Sequence, residues 1–235
     1  MRGASYQRYG PIAVRGARHD ELAEARSRFL SPLLYIERLS RSFGERTVIR
    51  GLDLALEAGE RVALRGPNGS GKSTALRCAA GSLAPTSGSV LVGGLEPRSL
   101  QARRLIGVSL SQDRSFYLRL SGRENLIFFA RTRGHSLREA ERAAGDLSDE
   151  LELGDFLGER TDTYSTGMIL QLAVARALLD DPPLLLLDEP TRSLDAAAVQ
   201  RLWRALDGRR TSALLIATHR EDDVEHCDST VEFPR

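Results

Sequence analysis

Apolar and polar residues alternate over Leu33–Leu39, the two-residue period of a strand with one buried face. After a turn at Gly44, the segment Thr47–Ala58 continues with strand character. Arg61–Arg65 is a short apolar strand that runs straight into the glycine-rich stretch Gly66–Gly71, and Ser73–Gly81 beyond it reads as a helix. Strand, glycine loop and helix in that order form a βα unit of a parallel sheet. From Arg123 to Leu157, Arg, Glu, Ala and Leu recur at helical spacing with no strong strand, so an all-helical insertion is expected there. The runs Leu184–Leu187 and Ala213–Thr218 are apolar without alternation, as in strands buried on both faces of a parallel sheet. No internal repeat interrupts this plan.

At 235 residues and 41% hydrophobic, the chain can close one sizeable α/β core. Residues 1–32 stand apart. They carry Arg2, Arg8, Arg15, Arg18, Arg26 and Arg28 against Asp20, Glu21 and Glu24, with no sustained apolar period. We expect a mildly basic, mobile extension with a short helix over Asp20–Phe29, either an inert leader or a contact to lipid headgroups or a partner. The net charge of +1 argues against a chain built to coat nucleic acid, and no nucleic-acid partner is expected. Cys78 and Cys227 form no CxxC and no zinc spacing, which fits reduced thiols in the cytosol. No apolar run approaches the roughly 18 residues needed to span a bilayer. A role in transport would therefore need a separate membrane-embedded subunit.

Among the 33 basic residues only one, Lys72, is a lysine. It lies in GPNGSGKST, Gly66 to Thr74, which satisfies G-x-x-x-x-G-K-[ST] directly after a strand and at the start of a helix. Each residue type has a reason to be there. Glycines admit positive φ and bring backbone N–H groups up to phosphate oxygens, and the helix N-terminus adds a favourable dipole. Lys72 reaches the β and γ phosphates, and Ser73 offers its hydroxyl to Mg²⁺. Gly66, Asn68, Gly69, Ser70, Gly71, Lys72, Ser73 and Thr74 are thus candidates for holding a nucleotide. Further on, LLLLDEP is a buried strand ending in two carboxylates. Beside a phosphate loop, Asp188 would hold Mg²⁺ through water and Glu189 would polarise the attacking water.

YSTGMILQLAVARALL, Tyr164 to Leu179, resembles the LSGGQ signature of the ABC ATPase family together with the helix that follows it. With the phosphate loop before it and the LLLLDEP strand after it, the resemblance covers residues 34 to 232. It implies a P-loop NTPase core with a mainly parallel sheet, an antiparallel β subdomain near the N-terminus and a helical subdomain over about residues 113–166. The ATPase domain would then run from 33 to 235. In this family two subunits close head to tail over ATP and Mg²⁺, so Ser165 and Gly167 would meet the γ-phosphate held by the other subunit. Thr166 and Met168 depart from the usual glycine and glutamine.

The resemblance assigns further roles. Phe43 falls at the aromatic that stacks on adenine. Gln112, in SLSQDRSFY, falls at the glutamine that senses Mg²⁺ and the attacking water while touching the membrane subunit. Ser193-Leu194-Asp195 resembles the loop between the two sites, and His219 resembles the switch histidine that contacts the γ-phosphate and supports Glu189. The expected protein is a peripheral subunit on the cytoplasmic face of the cell membrane, paired with a second ATPase subunit and a transmembrane permease. Arg114–Leu126 and YSTGM resemble the ATPases of exporters for drugs, lipids or polysaccharides. A soluble ABC ATPase without a transport role and a nucleotide-binding regulator with weak hydrolysis stay open as alternatives.

Overall fold

A computed structural model describes residues 32–110 and 115–233. The mobile extension expected over 1–32, with its helix at Asp20–Phe29, and Gln112 lie outside the described residues, apart from Pro32.

The first two strands, β1 (Leu34–Phe43) and β2 (Arg46–Leu56), form an antiparallel hairpin. It turns at Gly44, whose φ of 57° suits a residue without a Cβ. A later strand, β4 (Ser87–Val92), pairs with the other edge of β1, giving the order β2-β1-β4. Leu34 faces Leu56 and Val92, and Ile36 faces Leu54 and Val90, so alternate residues line one buried face.

The second sheet is parallel throughout. It holds β3 (Arg61–Arg65), β5 (Ile106–Ser109), β6 (Leu184–Asp188), β7 (Ala213–Thr218) and β8 (Ser229–Glu232) in the order β5-β6-β7-β3-β8. Its central strands explain their unbroken apolar runs. Leu184 and Leu186 pack into the core shared with the antiparallel sheet, whereas Leu185 and Leu187 pack into the core under the helices. Each face of the strand meets a different apolar layer, so no position is left for a polar residue. Arg61 is buried within this sheet because its guanidinium donates to Asp207 Oδ1 at 2.8 Å and to the Leu206 carbonyl at 2.6 Å.

Helices α1 (Lys72–Ala79) and α2 (Leu100–Arg104) belong to the first half. The expected helical stretch contains α3 (Gly122–Thr132), α4 (Leu137–Leu151) and α5 (Gly154–Leu157). Two of these helices begin with capping boxes, Ser121 with Glu124 and Ser136 with Glu139, in which serine and glutamate each satisfy an otherwise orphaned N–H. Buried Asn125 fixes the turn before α3, accepting from Tyr117 N at 2.8 Å and donating to Ser121 O at 2.9 Å. The chain closes through α6 (Thr166–Ala177), α7 (Ala196–Asp207) and the short α8 (Glu221–Val224).

Among the elements that carried too little local pattern to be expected are β4, α2 and β5. In β5 the reason is visible, since a Cβ at Gly107 would lie 2.0 Å from the Ala177 carbonyl. A strand residue that must be glycine so that α6 can press against it weakens its own strand signal.

Candidate functional site

Strand β3 delivers the chain to Gly66, and α1 begins six residues later. Gly66, Gly69 and Gly71 have φ of 154°, 81° and 108°, conformations that L side chains rarely adopt. Space forbids a side chain as well, because a Cβ on Gly66 would lie 2.4 Å from the Phe233 carbonyl. Gly71 caps α1 without any side-chain hydrogen bond. The first N–H groups of that helix therefore keep their donors for a ligand, with the helix dipole behind them. Lys72 is 5% exposed, and its Nζ donates to the carbonyls of Gly66 at 2.6 Å and Pro67 at 3.1 Å. The ammonium is thereby laid across the loop.

From one strand further along the sheet, beyond β7, β6 brings two carboxylates to the same place. Ser73 donates from its hydroxyl to Asp188 Oδ1 at 3.0 Å, and Asp188 is buried. A hydroxyl and a carboxylate side by side are hard oxygen donors of the kind Mg²⁺ takes, so this pair fits that ion. Glu189 lies at φ 52°, and its N–H donates to Ala217 O at 2.8 Å, which turns the chain toward the end of β7. There His219 Nδ1 lies 2.9 Å from Glu189 Oε1 and 2.8 Å from Oε2, straddling the carboxylate. With Nδ1 donating its proton to Glu189, the other ring nitrogen stays available to a ligand.

These groups surround a cavity of about 410 Å³ lined by residues 68–74, Glu189, His219, Val48 and Arg192. That volume lies in the range of small-molecule and cofactor sites. Val48 of β2 and Arg192 escaped the sequence reading. Val48 is one aliphatic residue in a strand, and Arg192 is one arginine among many; neither has a local pattern that marks it.

The other candidates sit elsewhere. Exposed Ser165 and half-buried Gly167 begin α6 and do not line the cavity. Ser165 Oγ accepts from Met168 N at 3.2 Å, and Met168 sulfur faces Ser165 N at 3.5 Å, standing where a capping box has Glu or Gln. A Cβ on Gly167 would lie 2.7 Å from the Ser193 carbonyl, so the start of α6 rests directly on the Ser193–Asp195 loop. In that loop Asp195 caps α7, its Oδ1 accepting from Ala198 N at 2.8 Å. Phe43 ends β1 half-exposed, with the Arg41 guanidinium 4.6 Å from its ring centroid, and it does not line the cavity.

Comparison with known proteins gives consistent matches. A family model described as ABC transporter matches residues 49–192. The Nod factor export ATP-binding protein I of Rhizobium meliloti (strain 1021) is 38% identical over 195 residues, which are 81% of this chain and 58% of that protein. The ABC transporter ATP-binding protein NatA of Bacillus subtilis (strain 168) is 33% identical over 188 residues, 78% of this chain and 76% of that protein. The matches to the first two Nod factor export proteins span only 58% and 66% of those proteins' length. Among solved structures, an ATP-binding subunit of an ABC transporter superposes with a TM-score of 0.77 at 28% identity, covering 86% of this chain and 85% of that one. A dimeric bacterial ABC transporter cassette shares the fold, with a TM-score of 0.77 at 24% identity over 86% of this chain and 94% of that one.

Proposed function

The chain belongs to the ABC transporter family, and on that footing we propose that it binds ATP with Mg²⁺ and hydrolyses the ATP to energise a transporter that exports its substrate. One observation carries this reading: Lys72, Ser73 and the Glu189–His219 pair border a single cavity at the ends of adjacent parallel strands, with Asp188 hydrogen-bonded behind Ser73.

In this proposal the loop N–H groups and Lys72 hold the polyphosphate. Ser73 and Asp188 hold Mg²⁺, which when bound neutralises phosphate charge. Glu189 takes the proton from the attacking water, and His219 keeps that carboxylate oriented. The cassette spans 33–235 with its helical subdomain at about 113–166, and Phe43 and Gln112 serve the base and the water. Exposed Ser165 and half-buried Gly167, standing away from their own cavity, serve the site of a second ATPase subunit. Exposed Tyr117, Leu118 and Phe128 support docking to a transmembrane permease, since they gather apolar surface on the helical layer, with the Tyr117 and Phe128 rings 4.6 Å apart. No helix among the described residues is long and apolar enough to cross a membrane. The permease would then hold this subunit on the cytoplasmic face. Export is favoured by the likeness to the Nod factor export proteins.

The test is ATP hydrolysis by the purified protein, alone and with its membrane partner in vesicles. Stimulated hydrolysis coupled to substrate release from the cell side is expected; nucleotide binding with no turnover in either setting would overturn the proposal. A second reading, a nucleotide-binding regulator with weak hydrolysis, is favoured by Thr166 and Met168 in the signature. Turnover unaffected by the partner would support that reading.

A further inference from the structure

Glu189 and His219 come from different loops, one following β6 and one following β7, and a third element fixes the distance between them. The Asp223 side chain lies behind the two loops and is 0% exposed. Its Oδ2 accepts from Thr191 Oγ1 at 2.8 Å and from Thr218 Oγ1 at 2.7 Å. Thr191 stands two residues after Glu189, and Thr218 stands immediately before His219. The Thr218 hydroxyl also accepts from Arg220 N at 3.1 Å. That bond occupies one of its lone pairs, leaving its proton directed at the carboxylate.

We infer that Asp223 is a positioning residue for the proposed hydrolysis: a single buried carboxylate oxygen ties the loop of Glu189 to the loop of His219 and so holds the base against its imidazole partner. Three features support this. Both bonds, at 2.8 and 2.7 Å, have the normal length of a well-formed hydroxyl-to-oxygen hydrogen bond. Glu189 occupies a left-handed conformation, which a residue with a side chain keeps only when its surroundings determine it more than once. Glu189 N to Ala217 O is one such restraint, and Thr191 to Asp223 is the second. Finally, both threonines and the aspartate are buried, so water offers no substitute partner.

This inference rests on Glu189 as the base, and the test separates the two claims. Steady-state ATP hydrolysis, ATP affinity and thermal stability are measured for Asp223→Ala, Asp223→Asn, Thr191→Val and Thr218→Val. Asp223→Ala and Thr218→Val are expected to lower kcat by about tenfold or more, because displacement of a reacting group by an ångström costs up to about 100-fold. KM and ATP affinity should stay near wild type. Asp223→Asn keeps an accepting oxygen and should recover most of kcat, and Asp223→Ala combined with Thr218→Val should be no worse than Asp223→Ala alone. Wild-type kcat in Asp223→Ala, a loss that only tracks the unfolded fraction, or an Asn variant no better than Ala would overturn the inference. If Asp223→Ala does not fold, the two valine variants, which keep side-chain shape, decide in its place. A wild type that binds ATP without turnover removes Glu189 as base. Even then, ¹⁵N NMR of the His219 ring is decisive: an Nδ1-protonated ring lost in Thr218→Val supports the tie, and an unchanged ring overturns it.

Discussion

Helices α1 and α6 both start at glycine-bearing motifs, yet their N-termini are finished in opposite ways. α1 is capped by Gly71, with no side chain taking up its N–H groups, and its Lys72 is buried. α6 is capped by Ser165, whose hydroxyl already accepts from Met168 N, and it stands exposed. The first terminus is walled by its own chain, with Phe233 behind Gly66 and Val48 beside Gly71. The second is backed by Ser193 and open in front. An uncapped, enclosed terminus is a complete anion cradle, whereas a capped, open one offers contacts that only another surface can use.

That contrast can be broken by substitution. Glu189→Gln should have the largest effect, slowing phosphate release by about 10²–10⁴-fold while ATP binding persists; normal turnover would remove Glu189 as the base. Lys72→Ala removes charge-assisted bonds of about 1.5–3 kcal/mol each, so nucleotide affinity measured by fluorescence titration should fall about 100-fold. An unchanged affinity would refute the cradle. Gly167→Ala places a methyl group against the Ser193 carbonyl and should lower turnover about tenfold while leaving ATP affinity of the single subunit intact. Weakened binding there would mean that the two termini are not separate in function. Ser165→Ala should be the mildest, costing about 1 kcal/mol of stability and lowering Tm by about 2–4 °C in a thermal scan. A drop in ATP affinity of the isolated subunit would contradict the placement of Ser165 away from its own cavity.

Much of the fold was legible because its strongest signals are local. Arg61–Arg65 and Ala213–Thr218 are strands with the bounds their apolar runs suggested, and the helical stretch contains α3, α4 and α5. The strands β4 and β5 were not legible, since one begins Ser-Gly-Ser and the other holds a glycine demanded by α6. In the site, Lys72, Ser73, Asp188, Glu189 and His219 stood in motifs; four of them line one cavity and Asp188 is bonded to Ser73 behind it. Arg192, Val48 and Asp223 had no motif. Asp223 in particular reads as one of three successive acidic residues of a surface helix, and nothing nearby in sequence says that it, rather than Asp222, turns inward to two threonines.

The sequence by itself determined the phosphate loop, since positive φ at Gly66, Gly69 and Gly71 and a helix start at Lys72 are properties of consecutive residues. It also determined that two carboxylates end a buried strand. Only the tertiary structure decided that β6 and β7 lie side by side, which brings Glu189 to His219, and that Asp223 closes behind them. Strand order and the partners of a buried carboxylate depend on residues far apart in the chain, and no local period encodes which of them will meet.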